Sequence, residues 1–219
     1  MIDETVQYQG GVTLVGGGDP SAESIEESLK IAPFLVAADG GADHAILAGF
    51  EPLAVIGDFD SVSARVRSQL PDAKFIHVAE QESTDFEKCL ERIQAPFVLA
   101  TGFTSGQIDH TLAALSVLVR GVGPIAIIFD NTDVIVSVPH KISLELPIGM
   151  RMSLFPMGHV SGTSEGLEWP VAGLAFAPDG RVGTSNRVTG PVVLEFDSPG
   201  MLAILPRAAL AAVVASLCD

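Results

Sequence analysis

V-I-G-D-F-D-S, residues 55–61, is the stretch on which the reading of this chain turns. Apolar residues run into a glycine, and two aspartates follow with one residue between them, the pattern of a buried strand opening into an acidic loop. If strand conformation continues, alternate residues share a face, so Asp58 and Asp60 project together while Phe59 turns into the protein. Two carboxylates held that close repel each other unless a cation lies between them. Magnesium suits such a pair, because it takes hard oxygen ligands and keeps room for water and substrate phosphates. Taken alone, D-x-D is equally well an ordinary acidic loop after a strand. Its company along the chain has to separate the two.

Upstream, G-V-T-L-V-G-G-G (residues 11–18) reads as a buried strand closing in a glycine loop, with Asp19-Pro20-Ser21 capping a helix over 22–31. Glycines there let the backbone approach a phosphate, although a plain tight turn explains them nearly as well. The loop is not G-x-G-x-x-G, since Ser21 stands at the last glycine, and no P-loop signature occurs anywhere. Residues 34–38 form a second strand ending in Asp39-Gly40-Gly41, and a helix follows to 48. Residues 53–56 form the third strand, leading into D-F-D-S, and after a helix over 64–70 residues 75–79 form the fourth. Ser83 or Thr84 then caps a helix to about residue 93, with Asp85 in its first turn and Lys88 three residues on. A capping box with a helical ion pair accounts for these residues almost as well. Residues 97–101 are a fifth strand, the loop 102–107 leads to Asp109 and His110, and a helix runs over 111–120.

This alternation predicts a doubly wound, mostly parallel α/β sheet. Ligands bind outside the carboxyl ends of the strands in such sheets, and every polar cluster above falls on that edge. After a strand at 125–129 the grammar changes. Short strand-like runs at 134–138, 142–146, 150–155, 174–176, 192–196 and 201–205 are separated by Gly, Pro, Asp and Asn, with no helix before the tail. That predicts a smaller antiparallel β-sandwich, and divides the chain into 1–138 and 139–219. Residues 166–169 hold the only tryptophan, Trp169, and Thr184-Ser185-Asn186 reads as a polar turn. Physics alone makes the first a core residue and the second a plain turn.

The 219 residues are 47% hydrophobic and 18% charged, a globular composition, and the formal charge of −15 argues against nucleic-acid and anionic-membrane surfaces. Residues 1–10 are polar and acidic rather than a secretory signal. The longest apolar run, 208–217, is too short to span a bilayer. Cys89 and Cys218 form neither a metal spacing nor a disulfide framework, and Cys89 reads as a small buried hydrophobe. The expected compartment is the cytoplasm.

In order, the chain contains A-D-G-G-A (38–42), G-D-F-D-S (57–61), Q-x-x-T-D-x-x-K (81–88) and D-H-T-L-A (109–113), followed by G-L-E-W and T-S-N. As an ordered set these motifs resemble the thiamine pyrophosphokinase (thiamin diphosphokinase) family over nearly the whole chain. The resemblance implies an α/β catalytic domain for ATP and magnesium, a β-sandwich for thiamine, and a homodimer with shared active sites. The implied reaction is ATP + thiamine → thiamine diphosphate + AMP. It makes Asp58, Asp60 and Asp85 magnesium ligands, with Asp39, Gly40 and Gly41 bordering the site. Gln81, Thr84 and Lys88 match pocket positions, Asp109 a catalytic position near the nucleotide, and Ser185, Asn186 and Trp169 the thiamine site. One departure stands out: Ser105-Gly106-Gln107 occupies the place of the family's G-G-R, removing a fixed positive charge and a bidentate donor. Lys88 is the nearest basic residue by motif that can replace that charge.

Two rival readings stay open at this level. A D-x-D glycosyltransferase also holds a metal and a nucleotide diphosphate on paired aspartates. A non-catalytic nucleotide or thiamine-phosphate sensor would keep the pocket without turnover, a reading that the Gln107 departure keeps open.

Overall fold

The computed structural model describes residues 4–218, so residues 1–3 of the polar start and Asp219 lie outside the described residues. Two compact units divide the chain, one comprising residues up to 117 with 121–131, the other 118–120 with the residues from 132 onward.

The first unit alternates strands and helices: β1 (Val6–Gln7), β2 (Val12–Val15), α1 (Ala22–Ile31), β3 (Phe34–Ala38), α2 (Gly41–Leu47), β4 (Ala54–Gly57), α3 (Ala64–Gln69), β5 (Lys74–His77), α4 (Asp85–Arg92), β6 (Ile93–Gln94), β7 (Phe97–Thr101), α5 (Ile108–Arg120) and β8 (Ile125–Phe129). Its main sheet has the order β8-β7-β2-β3-β4-β5 with every pair parallel, and β1 pairs separately with β6. β2 and β4 are buried at every position and β3 and β7 at all but the first, which is why they read as unbroken apolar runs rather than alternating ones. Leu35, Ala37 and Val55 pack on Ile25, Ala42, Ala45 and Val66 of the first three helices. Alternate residues Val36 and Ile56, equally buried, face the other side, and α4 contacts β3 and β4. Thr13, the one polar residue of β2, is buried yet satisfied by the Ser28 hydroxyl at 2.6 Å and the Ala32 carbonyl at 2.7 Å. Ser21, Ser63 and Thr84 cap α1, α3 and α4 by accepting from the backbone N–H of Ser24, Val66 and Glu87. α5 begins at Ile108, three residues earlier than expected, so Asp109 and His110 lie in its first turn.

The second unit comprises β9 (Asp133–Ser137), β10 (Lys141–Leu144), β11 (Arg151–Pro156), β12 (Val160–Leu167), β13 (Ala175–Phe176), β14 (Gly183–Phe196), β15 (Met201–Pro206), a 3-10 turn at Arg207–Ala209 and α6 (Leu210–Cys218). All its strand pairs are antiparallel. β14 is 14 residues long. Its first part pairs with β11, Asn186 opposite Met152, and its second with β10 and β12, Leu194 opposite Ile142 and Ser164. One strand thus serves both layers of the sandwich, whose core includes Met152, Leu154, Leu194, Phe196 and Leu202.

Three features differ from the sequence reading. V-S-G-T-S-E-G-L forms β12 although it lacks apolar alternation; neighbours on both sides supply its pairing. Thr184-Ser185-Asn186 lies within β14 rather than in a turn, but Ser185 has φ 60° and the β11 register shifts beside it, so the chain kinks there as at a bulge. The units part between Asn131 and Thr132, ahead of the expected 138/139. The reason is that β9 pairs with β15 over five positions, from Ser137 opposite Leu202 to Asp133 opposite Pro206. Strand pairing, not loop composition, sets that boundary. Among the described residues no helix is long and apolar enough to cross a membrane.

Candidate active site

At the carboxyl ends of the parallel strands of the first unit lies a cavity of about 1010 Å³. Gly17 and Gly18 after β2, Asp39 and Gly40 after β3, Asp58 and Asp60 after β4, Gln81, Thr84, Asp85 and Lys88 at the start of α4, and Asp109 at the start of α5 all line it. Gly41 does not. Its Cβ would stand 2.1 Å from the Val15 carbonyl oxygen, so packing of α2 against β2 demands glycine there.

The two aspartates of D-F-D converge by a route other than the one expected. β4 stops at Gly57, and Phe59 adopts φ 66°, so the loop turns sharply instead of continuing as a strand. Phe59 packs on Phe75 and His77, and Arg67 lies over its ring at 5.1 Å while donating to its carbonyl at 3.1 Å. That anchor leaves both carboxylates in the cavity. Asp39 joins them because Ala38 is in register with Ile56, and the Asp39 N–H donates to the Ile56 carbonyl at 2.9 Å. Gly57 makes room for it, since a Cβ would sit 2.9 Å from that of Asp39. Oxygens of Asp39, Asp58 and Asp60 lie within 4.8 Å of one another. Asp85, expected in that set, stands outside it beside Lys88.

Ser61 ties the group together, a role the sequence reading did not assign. Its N–H donates to Asp39 Oδ2 at 3.2 Å and its hydroxyl to Asp60 Oδ1 at 2.8 Å. The signal available was only its place directly after D-F-D. Asp39 Oδ1 is buried and has no hydrogen-bond partner among the described residues. A buried carboxylate oxygen left without a donor is costly, and a hard divalent cation is the partner that a set of three carboxylates fits.

Lys88 is buried, its Nζ 3.2 Å from Asp58 Oδ2 and 3.4 Å from Asp85 Oδ1. Burial works against its charge, but the two carboxylates outweigh that and raise its pKa. The ammonium is therefore committed to its neighbours rather than standing in for an arginine at Gln107, which also lines the cavity. Gln81 donates to Asp58 Oδ2 at 3.0 Å, and that bond above all, with the Asp60 N–H and Lys88, holds the Asp58 pKa down against partial burial. Asp85 moves the other way: burial first, then the charges of Asp39 and Asp58, raise its pKa despite Lys88. Paired groups pushed apart in this way mark a site built for charge. Cys89, next in the chain, is fully buried and its thiol pKa is pushed well up by burial, as befits a core residue.

The remaining sequence candidates sit in the second unit. Asn186 is buried and Trp169 is 54% exposed, so this tryptophan is no core residue. Asn186 Nδ2 donates to the Trp169 carbonyl at 2.7 Å, and its Oδ1 accepts from the backbone N–H of Trp169 at 3.2 Å and of Arg187 at 2.8 Å.

Residues 25–128 match the family model described as thiamin pyrophosphokinase, catalytic domain, and residues 139–201 that described as thiamin pyrophosphokinase, vitamin B1 binding domain. Thiamin pyrophosphokinase 1 of Caenorhabditis elegans is 29% identical over 196 residues, covering 78% of this chain and 79% of that protein. Solved thiamin pyrophosphokinases of Candida albicans and yeast share the fold with TM-scores of 0.76 and 0.75 at 16% and 18% identity. These two alignments cover 93% and 94% of this chain, and 93% and 92% of theirs. A glycosyltransferase or a ligand sensor gains nothing from these matches. With both family domains present in the expected order, the chain belongs to the thiamin pyrophosphokinase family.

Proposed function

We propose that this protein transfers the pyrophosphoryl group of ATP to the primary hydroxyl of thiamine, giving thiamine diphosphate and AMP. The observation that carries this reading is the Asp39/Asp58/Asp60 group, bounded by Lys88, in a large cavity at the strand ends of a chain with both family domains. Asp58 and Asp60 with Asp39 would hold Mg²⁺, and Asp85 adjoins them. A bound Mg²⁺ supplies charge neutralisation and alignment for the phosphates. The alcohol oxygen forms a bond to the β-phosphorus, the bond from that phosphorus to the α,β-bridging oxygen breaks, and AMP leaves with that oxygen. Transfers of this kind need positioning and charge control more than covalent help from the protein. The proton of the alcohol goes to a carboxylate of the cluster, and we assign that task to Asp85, which lines the same cavity beside Lys88. Asp109, at the start of α5, lines the same cavity, and we assign it to the nucleotide.

Thiamine carries a cationic thiazolium, and we assign to it the exposed ring of Trp169 with Ser185, Asn186 being bonded to the Trp169 backbone. Two chains would associate with shared active sites, covering exposed apolar residues such as Ile108 and Leu112, one turn apart on α5. A buried, unpaired Cys89 suits a reducing cytoplasm.

The test is incubation with ATP and Mg²⁺, with and without thiamine, while AMP and thiamine diphosphate are quantified. Equimolar, thiamine-dependent formation of both is expected, and chelation of the metal should stop it. ADP as product, or AMP release indifferent to thiamine, overturns the reading.

A further inference from the structure

We infer that Asn186 is a positioning residue that acts on thiamine through Trp169, without touching the substrate itself; this rests on the thiamine reading proposed above. The side chain of Asn186 is already spoken for. Its carboxamide brackets the Trp169 peptide from both sides, donating from Nδ2 to the carbonyl at 2.7 Å and accepting the N–H at Oδ1 at 3.2 Å. The same Oδ1 takes the Arg187 N–H at 2.8 Å. An amide oxygen has two acceptor sites, and both are used. The side chain is only 6% exposed, so a ligand would have to displace these bonds to reach it.

The clamp acts where regular pairing stops. β12 and β14 shift register between Glu165 and Leu167, and the last pair joins Leu167 to Val188. Beyond it, the Glu168 N–H still donates to the Arg187 carbonyl at 2.9 Å, and the Arg187 guanidinium reaches Glu168 at 3.2 Å. Trp169 comes next and has no ladder partner, so Asn186 supplies from its side chain the donor and acceptor that a neighbouring strand would have offered. Pro170 follows and removes one further N–H from the chain. The outcome is a tryptophan that is 54% exposed on a backbone tied at both its N–H and its carbonyl. A fixed aromatic face is what a cationic heteroaromatic ring needs, because ordering that face at the moment of binding would cost affinity. The preceding residue contributes to the same geometry: Ser185 has φ 60° and its N–H donates to the Ser153 hydroxyl at 3.0 Å, which turns the Asn186 side chain toward residue 169.

Trp169 is the only tryptophan of the chain, so its fluorescence reports on the clamp directly. The experiment compares the full-length protein with Asn186→Ala, Asn186→Asp, Trp169→Ala and the double variant Asn186→Ala/Trp169→Ala. It records steady-state kinetics for both substrates, tryptophan anisotropy and thermal melting. For Asn186→Ala we expect the thiamine KM to rise about tenfold, the scale of one partly desolvated cation–π contact. The kcat and the ATP KM should stay within about twofold, and the anisotropy should fall as the ring gains freedom. Asn186→Asp keeps the two acceptor bonds but turns a carboxylate oxygen toward the Trp169 carbonyl. Its thiamine KM should therefore rise at least as far as in Asn186→Ala, while the melting curve reports how much of that is lost stability. In the Trp169→Ala background, removing Asn186 should add nothing to the thiamine KM. A full additional rise in that background would mean that Asn186 contacts thiamine itself, and unchanged anisotropy in Asn186→Ala would mean that it does not hold the ring. Either result overturns this inference and leaves the proposed reaction standing. A wild type without thiamine-dependent turnover overturns the reaction, and this inference with it.

Discussion

The Lys88 ammonium, 3.2 Å from Asp58 and 3.4 Å from Asp85, is the cation that holds two carboxylates side by side near Asp39 and Asp60. Replacing it by methionine leaves those charges facing one another. Breaking a buried pair costs about 3–5 kcal/mol, and because Asp85 is 45% exposed we expect less than that, about 2–3 kcal/mol. Urea denaturation of Lys88→Met measures it, and the loss should shrink when Mg²⁺ is added. An identical loss at every Mg²⁺ concentration would separate Lys88 from the metal site. Gln81 offers a second test at this scale. Its bond is the largest cause of the lowered Asp58 pKa, and a carboxylate with a lowered folded pKa contributes stability above its unfolded value, lost as the pH falls through the folded value. Gln81→Ala should therefore cost about 1 kcal/mol at neutral pH and nothing once Asp58 is protonated in both proteins. Asp85, with its raised pKa, follows the opposite sign, but it is present in both proteins and cancels from the comparison.

At the scale of elements, the site depends on how closely α2 meets β2. A Cβ on Gly41 would lie 2.1 Å from the Val15 carbonyl oxygen and 2.8 Å from its carbon. Both atoms belong to a central strand buried at every position, so neither can yield cheaply. Gly41→Ala should destabilise by about 3 kcal/mol, the upper range for overpacking, and should raise the ATP KM by displacing Asp39 and Gly40 at the start of the same helix. A melting temperature within a degree of wild type would show that α2 can slide. The T-S-N motif works through elements too. Thr184-Ser185-Asn186 is a kinked section of a strand shared by two layers, and that placement, rather than turn chemistry, presents Asn186 to Trp169.

For the molecule as a whole, the charge of −15 and the carboxylates crowding one cavity set the terms of the proposed nucleotide binding. A polyphosphate entering that cavity meets, among the described residues, one lysine, already neutralised, and no arginine. Binding of ATP should accordingly be tied to the metal. By calorimetry, ATP binding without a divalent cation should be at least about 100-fold weaker than with saturating Mg²⁺, given about 1.4 kcal/mol per tenfold. Mg²⁺ alone should raise the melting temperature of the wild type, since a ligand that binds only the folded state stabilises it, and should leave Asp60→Ala nearly unmoved. Asp60 is exposed, so that variant should melt within about 0.5 kcal/mol of wild type yet lose turnover. Equal ATP affinity with and without metal would count against the cluster as the phosphate anchor.

Much of this was legible in one dimension, because short-range physics writes itself into short-range sequence. Apolar runs stopped by glycine, capping residues such as Thr84 before α4, and acidic residues after strand ends marked the α/β alternation and the edge that carries the cavity. The ordered motifs marked the family. What the tertiary structure alone decided are relations between distant residues. Asp39 reaches Asp58 and Asp60 because of the parallel register of β3 with β4. Lys88, paired with Asp85 by helical spacing, also reaches Asp58 because α4 packs on β4. Asn186 meets Trp169 because β12 and β14 lose their regular pairing just before it. Register and packing are set by the summed burial of whole elements, and no local pattern records them.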